Sequence, residues 1–284
     1  MIRHAFAALL LAGAAWPAAA QEMSADGLIA RNLAARGGAE VLAAIRAVGF
    51  KGRVIFPGDF ELTYRELRSA GSSRIDMAVQ GMTLVQGYDG KAGWRINPFQ
   101  GRRDAERMSA DEARAVADAS LIEGPLLASR GDGSRVTYLG REDFDGTQAY
   151  KLKVSQKDGD EFVYWLDPDT FLEIKIDETR RVRGAERTTE TELGDYEKIA
   201  GVYFPMSVES WSEGDSNNRQ RVIIATGAAN PAVDVAQFAE PRIPAPPQPG
   251  GSPPDASNAP VKDDSSDKPN TADPADPASP PKGE

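Results

Sequence analysis

The chain contains no cysteine, and its single histidine is His4, inside a leader-like segment. A processed protein is therefore expected to have neither thiol nor imidazole. This excludes cysteine nucleophiles, Ser/His/Asp triads, imidazole acid–base catalysis and zinc sites built from sulfur and imidazole. It also leaves no disulfide, so stability has to come from packing. Positive charge is short: 33 Lys and Arg face 43 Asp and Glu, a net charge of -10, which suits nucleic-acid binding poorly. Beyond the leader no segment approaches the ~20 apolar residues of a membrane-spanning helix. No phosphate loop, dinucleotide fingerprint or nucleophile elbow occurs.

What is present divides the 284 residues into three parts. Residues 1–20 read as a signal peptide: Arg3, an apolar run from Ala5 to Ala15, Pro17, then the small-residue site Ala18, Ala19, Ala20, with cleavage after Ala20. Gln21 follows, so a lipobox thiol is missing, and a periplasmic location is expected. From Pro241 to Glu284 the chain is Pro, Ser, Asp, Ala and Gly with almost no large apolar residue, a composition expected to stay disordered. Residues 21–240, about 220 of patterned sequence, are enough for one sizeable core.

Within that middle part Ser24 can cap a helix carrying Leu28, Ile29 and Leu33, which Gly37 and Gly38 interrupt before Val41, Leu42 and Ile45 resume helical spacing. A second helix is expected near 109–119, where Ser109 and Glu112 fit a capping box. Its stripe of Ala113, Val116 and Ala117 is narrow, which predicts loose attachment; a lid over the sheet is one reading and an ordinary surface helix the other. Gly124-Pro125 would be a flexible boundary. The rest alternates with period two, as half-buried strands do. Turns at Asp89-Gly90, Asp145-Gly146, Asp158-Gly159 and Asp167-Pro168-Asp169 suit tight antiparallel connections. The expected fold is mainly β with covering helices: a meander of about ten strands, which at that length must curl.

The run from Gly87 to Pro98, the run from Leu139 to Gly146 leading into Tyr150–Val154, the run from Leu166 to Ile174, and Gly194-Asp195-Tyr196 with Gly201–Pro205 resemble the LolA-like group of outer-membrane lipoprotein-sorting proteins. The likeness covers roughly Asp26 to Pro241. It implies an unclosed antiparallel barrel covered by helices, with a hydrophobic cavity that accepts acyl chains. These motifs are strand and turn signatures; no site residue of the dedicated carriers maps onto this sequence. The Pro-rich tail and the extra length depart from those carriers.

The expected activity is binding, with no enzyme chemistry, no cofactor and no metal: a periplasmic carrier sheltering lipid or lipoprotein acyl chains. The candidate lining is Phe60, Leu62, Tyr64, Ile75, Met77, Val79, Trp94, Ile96, Tyr150, Leu152, Phe162, Tyr164, Leu172, Ile174, Phe204 and Met206. Arg180, Arg181, Arg183 and Arg187 gather around a turn at Gly184, as a solvated hairpin tip or as a patch for an anionic surface or envelope protein partner. Two rivals remain: an envelope scaffold binding a protein partner through the same fold, and a carboxylate-dependent glycan hydrolase. For the hydrolase, the carboxylates Asp143 and Asp145, Asp158, Asp160 and Glu161, and Asp167 and Asp169 all fall at turns, where Asp is favoured by its backbone hydrogen bonds.

Overall fold

The computed structural model describes residues 23–241. The signal peptide and the Pro-rich tail expected from the sequence lie outside the described residues. Ser24 accepts from the Gly27 amide and starts α1 (Ala25–Arg36), whose buried stripe is Leu28, Ile29, Asn32 and Arg36. After the glycine break comes α2 (Ala39–Ala43). Six strands follow: β1 (Ala47–Phe56), β2 (Phe60–Ser69), β3 (Ser72–Val79), β4 (Met82–Tyr88), β5 (Gly93–Ile96) and β6 (Glu106–Arg107). Two helices intervene, α3 (Ala110–Ala119) and α4 (Gly124–Asp132). Gly124-Pro125 opens α4 instead of forming a flexible boundary, because proline in the first turn gives up no hydrogen bond and its φ is already helical.

The second half comprises β7 (Arg135–Phe144), β8 (Thr147–Ser155), β9 (Glu161–Leu166), β10 (Glu173–Val182) and β11 (Ala185–Gly194). It continues through β12 (Glu197–Ile199), β13 (Val202–Phe204), β14 (Ser207–Ser212) and β15 (Gln220–Ala229). All but β12 and β13, which form a small hairpin of their own, belong to one 13-stranded sheet ordered β6-β5-β4-β3-β2-β1-β15-β14-β11-β10-β9-β8-β7. Neighbours in it are antiparallel, and the edges β6 and β7 do not meet, so the curled sheet is an unclosed barrel. The chain has more strands than the expected ten: β11, rich in Thr and Glu, carries no apolar alternation to detect, and β6 and β12 are only two and three residues long.

The sheet has two differently covered faces. On the concave side, Val48, Phe50, Tyr150, Leu152, Val154, Phe162, Tyr164 and Leu166 form the main core with Leu28 and Ile29 of α1 and Leu126 and Leu127 of α4. A smaller cluster of Val54, Leu62 and Tyr64 takes in Ile75, Met77 and Val79 at the other end of that face. On the convex side, Lys151 and Lys175 lie over the Trp165 ring and Arg219 over Trp211, so cationic side chains, not apolar layers, cover these indoles.

Trp94 shows how alternation can mislead. Gly87 pairs with Trp94 and Val85 with Ile96 across β4 and β5, on the face opposite Tyr88 and Gly93, and Gly93 is the residue that abuts α3. Trp94 and Ile96 therefore sit on the convex side and do not line the concavity. The Trp94 indole rests on Gly87, where any Cβ would overlap the ring, and donates from Nε1 to the Phe238 carbonyl at 2.7 Å. Phe238 belongs to a strap that leaves β15 and returns across β3 to β6, held by Arg74 donating to the Gln237 carbonyl at 3.0 Å and by Arg107–Glu240 at 2.7 Å. Ending the chain at Arg242 is expected to leave the melting temperature unchanged, whereas ending it at Val233 should lower it by roughly 5 to 10 °C, the burial of one Phe. Tryptophan emission should shift to the red only in the shorter chain.

Candidate functional site

Between the concave face and the helices lies a cavity of about 340 Å³. Its hollowness follows from side-chain size. The surface α3 turns to it is Ala115, Asp118 and Ala119, one short-chained face at i, i+3 and i+4, and the strands opposite contribute Thr191, Val208, Ser210 and Val222. Phe50, Tyr64, Phe162, Tyr164, Ile176, Phe204 and Ile224 make up most of the apolar wall.

Of the expected lining, Tyr64, Phe162, Tyr164 and Phe204 reach this cavity. Tyr150, Leu152 and Met206 are filled core beside it, and Leu62, Ile75, Met77 and Val79 belong to the smaller cluster. Phe60 is a correction: it stands 49 % exposed near the β1–β2 hairpin, its ring tilted against that of Phe56 with centroids 6.4 Å apart. Leu172 is buried where the β9–β10 turn closes, its carbonyl accepting from the Asp167 amide, and does not border the cavity. Ile174 is displaced by a β-bulge between Glu173 and Lys175. The bulge puts Glu173 on the concave side and Ile174 beside Phe144 and Asp145, so the expected Leu172, Ile174, Ile176 alternation fails there.

That inversion brings a carboxylate into the wall. Glu173 faces Arg36 of α1 at 3.5 Å, and the Tyr196 hydroxyl donates to the Glu173 carbonyl at 2.8 Å. Burial, with Glu173 beside it, pushes the Tyr196 phenol well up, so it stays protonated. Arg36 also donates to the Tyr203 carbonyl at 2.9 Å and lies over the Phe204 ring. A second set is complete in itself: Tyr64 donates to Glu66 at 2.8 Å and Arg68 to Glu66 at 2.6 Å. The Tyr164 hydroxyl has no hydrogen-bond partner, and burial raises its phenol strongly. Every carboxylate in this wall meets a cation or hydroxyl. Among the described residues no group of three or more His, Cys, Asp or Glu could hold a metal.

The attachment of α3 is the feature the sequence concealed. Its N-terminus carries the expected capping box, Ser109 and Glu112 bonding reciprocally at 3.0 and 3.3 Å. None of its side chains is buried. Ala113 and Val116 rest half-buried against Gly93 of β5, and much of the remaining hold is charge. Arg114 holds Asp160 of the β8–β9 turn at 2.9 Å, and Arg183 and Arg95 hold Glu112 at 2.9 and 3.3 Å. Arg180 binds Asp118 at 2.7 Å and also contacts Asp160 and Glu178. Arg180 is thus no exposed tip residue: its side chain is 5 % exposed and that of Asp160 is 1 % exposed. Of the expected anionic-surface cluster, Arg183 is occupied by Glu112, while Arg181 and Arg187 are exposed. Among the expected paired carboxylates, Asp143, Asp158 and Asp167 accept turn amides.

Glu112 gives this attachment a pH dependence. The Ser109 amide first, then the Ser109 hydroxyl and Arg95, lower its carboxyl from 4.5 to about 2. On acidification the unfolded chain takes up that proton first. The stabilisation is therefore complete above the ordinary carboxylate range and is lost as pH falls from about 4.5 toward 2. A Glu112→Gln protein should lose about 0.5 kcal/mol at neutral pH, since the cluster is open to solvent. Melting curves of the two proteins should converge across that acidic window.

No protein-family model matches the chain, and no curated protein matches it by sequence. Solved structures do match. A LolA superfamily protein from Nitrosomonas europaea aligns over 76 % of this chain and 98 % of its own, with 13 % identity and a TM-score of 0.52. An outer-membrane lipoprotein-sorting protein domain from Vibrio parahaemolyticus aligns over 75 % and 96 %, with 14 % identity and a TM-score of 0.51. A DUF1329 family protein from Desulfovibrio piger aligns over 76 % and 97 %, with 12 % identity and a TM-score of 0.50. The fold is LolA-like: an unclosed antiparallel half-barrel covered by helices.

Proposed function

We propose that this chain is a periplasmic binding protein that shelters the acyl chain of a lipid or lipoprotein in the cavity under α3, acting by sequestration and catalysing no reaction. The observation that carries this reading is the cavity itself, apolar on most of its wall and roofed by a helix with no buried side chain of its own. A roof held largely by charge, with only half-buried Ala113 and Val116 packed beneath it, can lift while exposing little apolar surface, as a carrier requires. Moving about ten methylenes out of water at ~0.8 kcal/mol each gives ~8 kcal/mol gross, enough for useful affinity after the cost of immobilising the chain. The location rests on the leader-like start of the sequence and on the LolA-like fold. Among the described residues no helix is long and apolar enough to cross a membrane.

Native mass spectrometry with lipid extraction tests the reading directly: stoichiometric lipid on the purified protein is expected, and none would overturn it. Val222 offers a sharper test because it lines the cavity opposite Val208. A Val222→Trp side chain should fill the hollow, weakening uptake of a fluorescent fatty acid by about tenfold or more. The melting temperature should move by no more than roughly 3 °C, because the void accepts the added volume. Undiminished uptake would count against the cavity as the binding place.

A further inference from the structure

A second concavity, an open groove of about 720 Å³, lies outside the main cavity between α1–α2, the β2–β3 turn and the segment joining α3 to α4. Leu121 and Ile122 of that segment line both spaces, so they form the wall between them. The wall is a single layer of side chains: the Leu121 amide donates to the Asp118 carbonyl at 3.1 Å, the Leu121 carbonyl accepts from the Gly124 amide at 3.2 Å, and the Ile122 carbonyl takes one long hydrogen bond, 3.5 Å, from Arg36 beneath it. Leu33, Leu42 and Ile45 give the groove an apolar floor continuous with that wall.

The charges on the two sides of the wall differ. Inside the cavity each cation is already neutralised, Arg36 by Glu173 and Arg68 by Glu66, while Asp118 and Glu178 are taken by Arg180. An anion placed there would find no free partner. In the groove, Arg46 and Arg130 are exposed and make no ion pair among the described residues, and Glu123 is the one acidic residue in the lining. Two unengaged guanidinium groups beside an apolar floor, on a chain of net charge -10, are complementary to an anionic head joined to an aliphatic chain.

Building on the proposed acyl-chain binding, we infer that the ligand is an anionic amphiphile, a lipid phosphate whose head is held by Arg46 and Arg130 in the groove while its chain passes Leu121 and Ile122 into the cavity. The polar end stays in water-accessible surroundings, where its desolvation costs least, and only methylenes cross the wall.

The test is calorimetric titration of the full chain with dodecyl phosphate, dodecanol and inorganic phosphate, on wild type and on an Arg46→Gln/Arg130→Gln protein, with melting curves to verify that both are folded. Wild type should bind dodecyl phosphate about tenfold more tightly than dodecanol, a preference the double substitution and high salt should each erase while dodecanol affinity stays the same. Inorganic phosphate alone should bind too weakly to detect. Equal affinity for the two amphiphiles in wild type, or a preference that survives the double substitution, would overturn the assignment while leaving acyl-chain binding intact. Binding of inorganic phosphate as tight as that of dodecyl phosphate would make the arginines a free-phosphate site and overturn it as well. Failure of both amphiphiles to bind would remove the acyl-chain reading and this inference together.

Discussion

An Arg180→Ala protein is expected to be less stable than wild type by about 3 kcal/mol, with a melting temperature lower by roughly 6 to 12 °C. The size follows from burial. Arg180 and Asp160 are almost wholly removed from water, and taking away the guanidinium strands two carboxylates, Asp118 and Glu178, and leaves Asp160 with one cation fewer. Arg114 still reaches Asp160, which keeps the loss at the lower end of what breaking a buried pair costs. Arg53 and Glu61 provide the contrast. They stand 3.8 Å apart with both side chains about half exposed, and Arg53→Ala should change stability by less than about 0.5 kcal/mol. A double-mutant cycle of Arg180→Ala with Asp160→Asn separates the pair itself from general damage, and additive losses would show that the hub does not act as a unit.

A Gly52→Ala substitution should be as damaging, at about 3 kcal/mol or more, although it adds one methyl group. Gly52 sits at the irregularity where β1 changes register against β15, the seam joining the two halves of the sheet. A Cβ there would overlap the Ile223 carbonyl and crowd the Ile224 Cα at 2.9 Å, and neither backbone atom can rotate away. Gly58 is the matched control: its φ is +77° but nothing lies within 4 Å, so an alanine there should cost only about 1 kcal/mol of backbone strain. Urea unfolding of the two proteins side by side decides the matter, and equal, small losses would mean that the seam can open to admit a side chain.

The local features of this fold were legible in the sequence. Ser24 and Ser109 cap the helices they were expected to cap, and each Asp-Gly or Asp-Pro-Asp signal lies between strands that pair as neighbours, because caps and tight turns depend on a few adjacent residues. The side of the sheet a residue faces was less legible. Trp94 and Ile96 alternate correctly with polar neighbours, yet alternation states only that one face is buried, and here the strap around Phe238 buries the convex one. The bulge at Glu173 is a single-residue slip with no composition signal, so a carboxylate and an isoleucine exchanged sides. Arg180 looked like a tip residue because Asp118 and Asp160 are remote along the chain. For the cavity, the clue was in the sequence, in the alanines of α3. Weak apolar patterning predicts loose attachment, but in α3 it goes with unfilled space beneath the helix, while charge supplies much of the hold.

The central position of the β1–β15 pair has a kinetic consequence. Val48 meets Ala229 in the middle of the sheet, so the first strand of the half-barrel has only β2 beside it until the last strand has been delivered. Hairpins on either flank can form early from near neighbours, but the seam closes late, at the full loop-closure cost, and contacts so distant along the chain slow folding toward the millisecond-to-second range. A chain emerging amino end first would hold an unsatisfied edge of β1 open for nearly its whole length, a template for pairing with other chains until the last strand arrives.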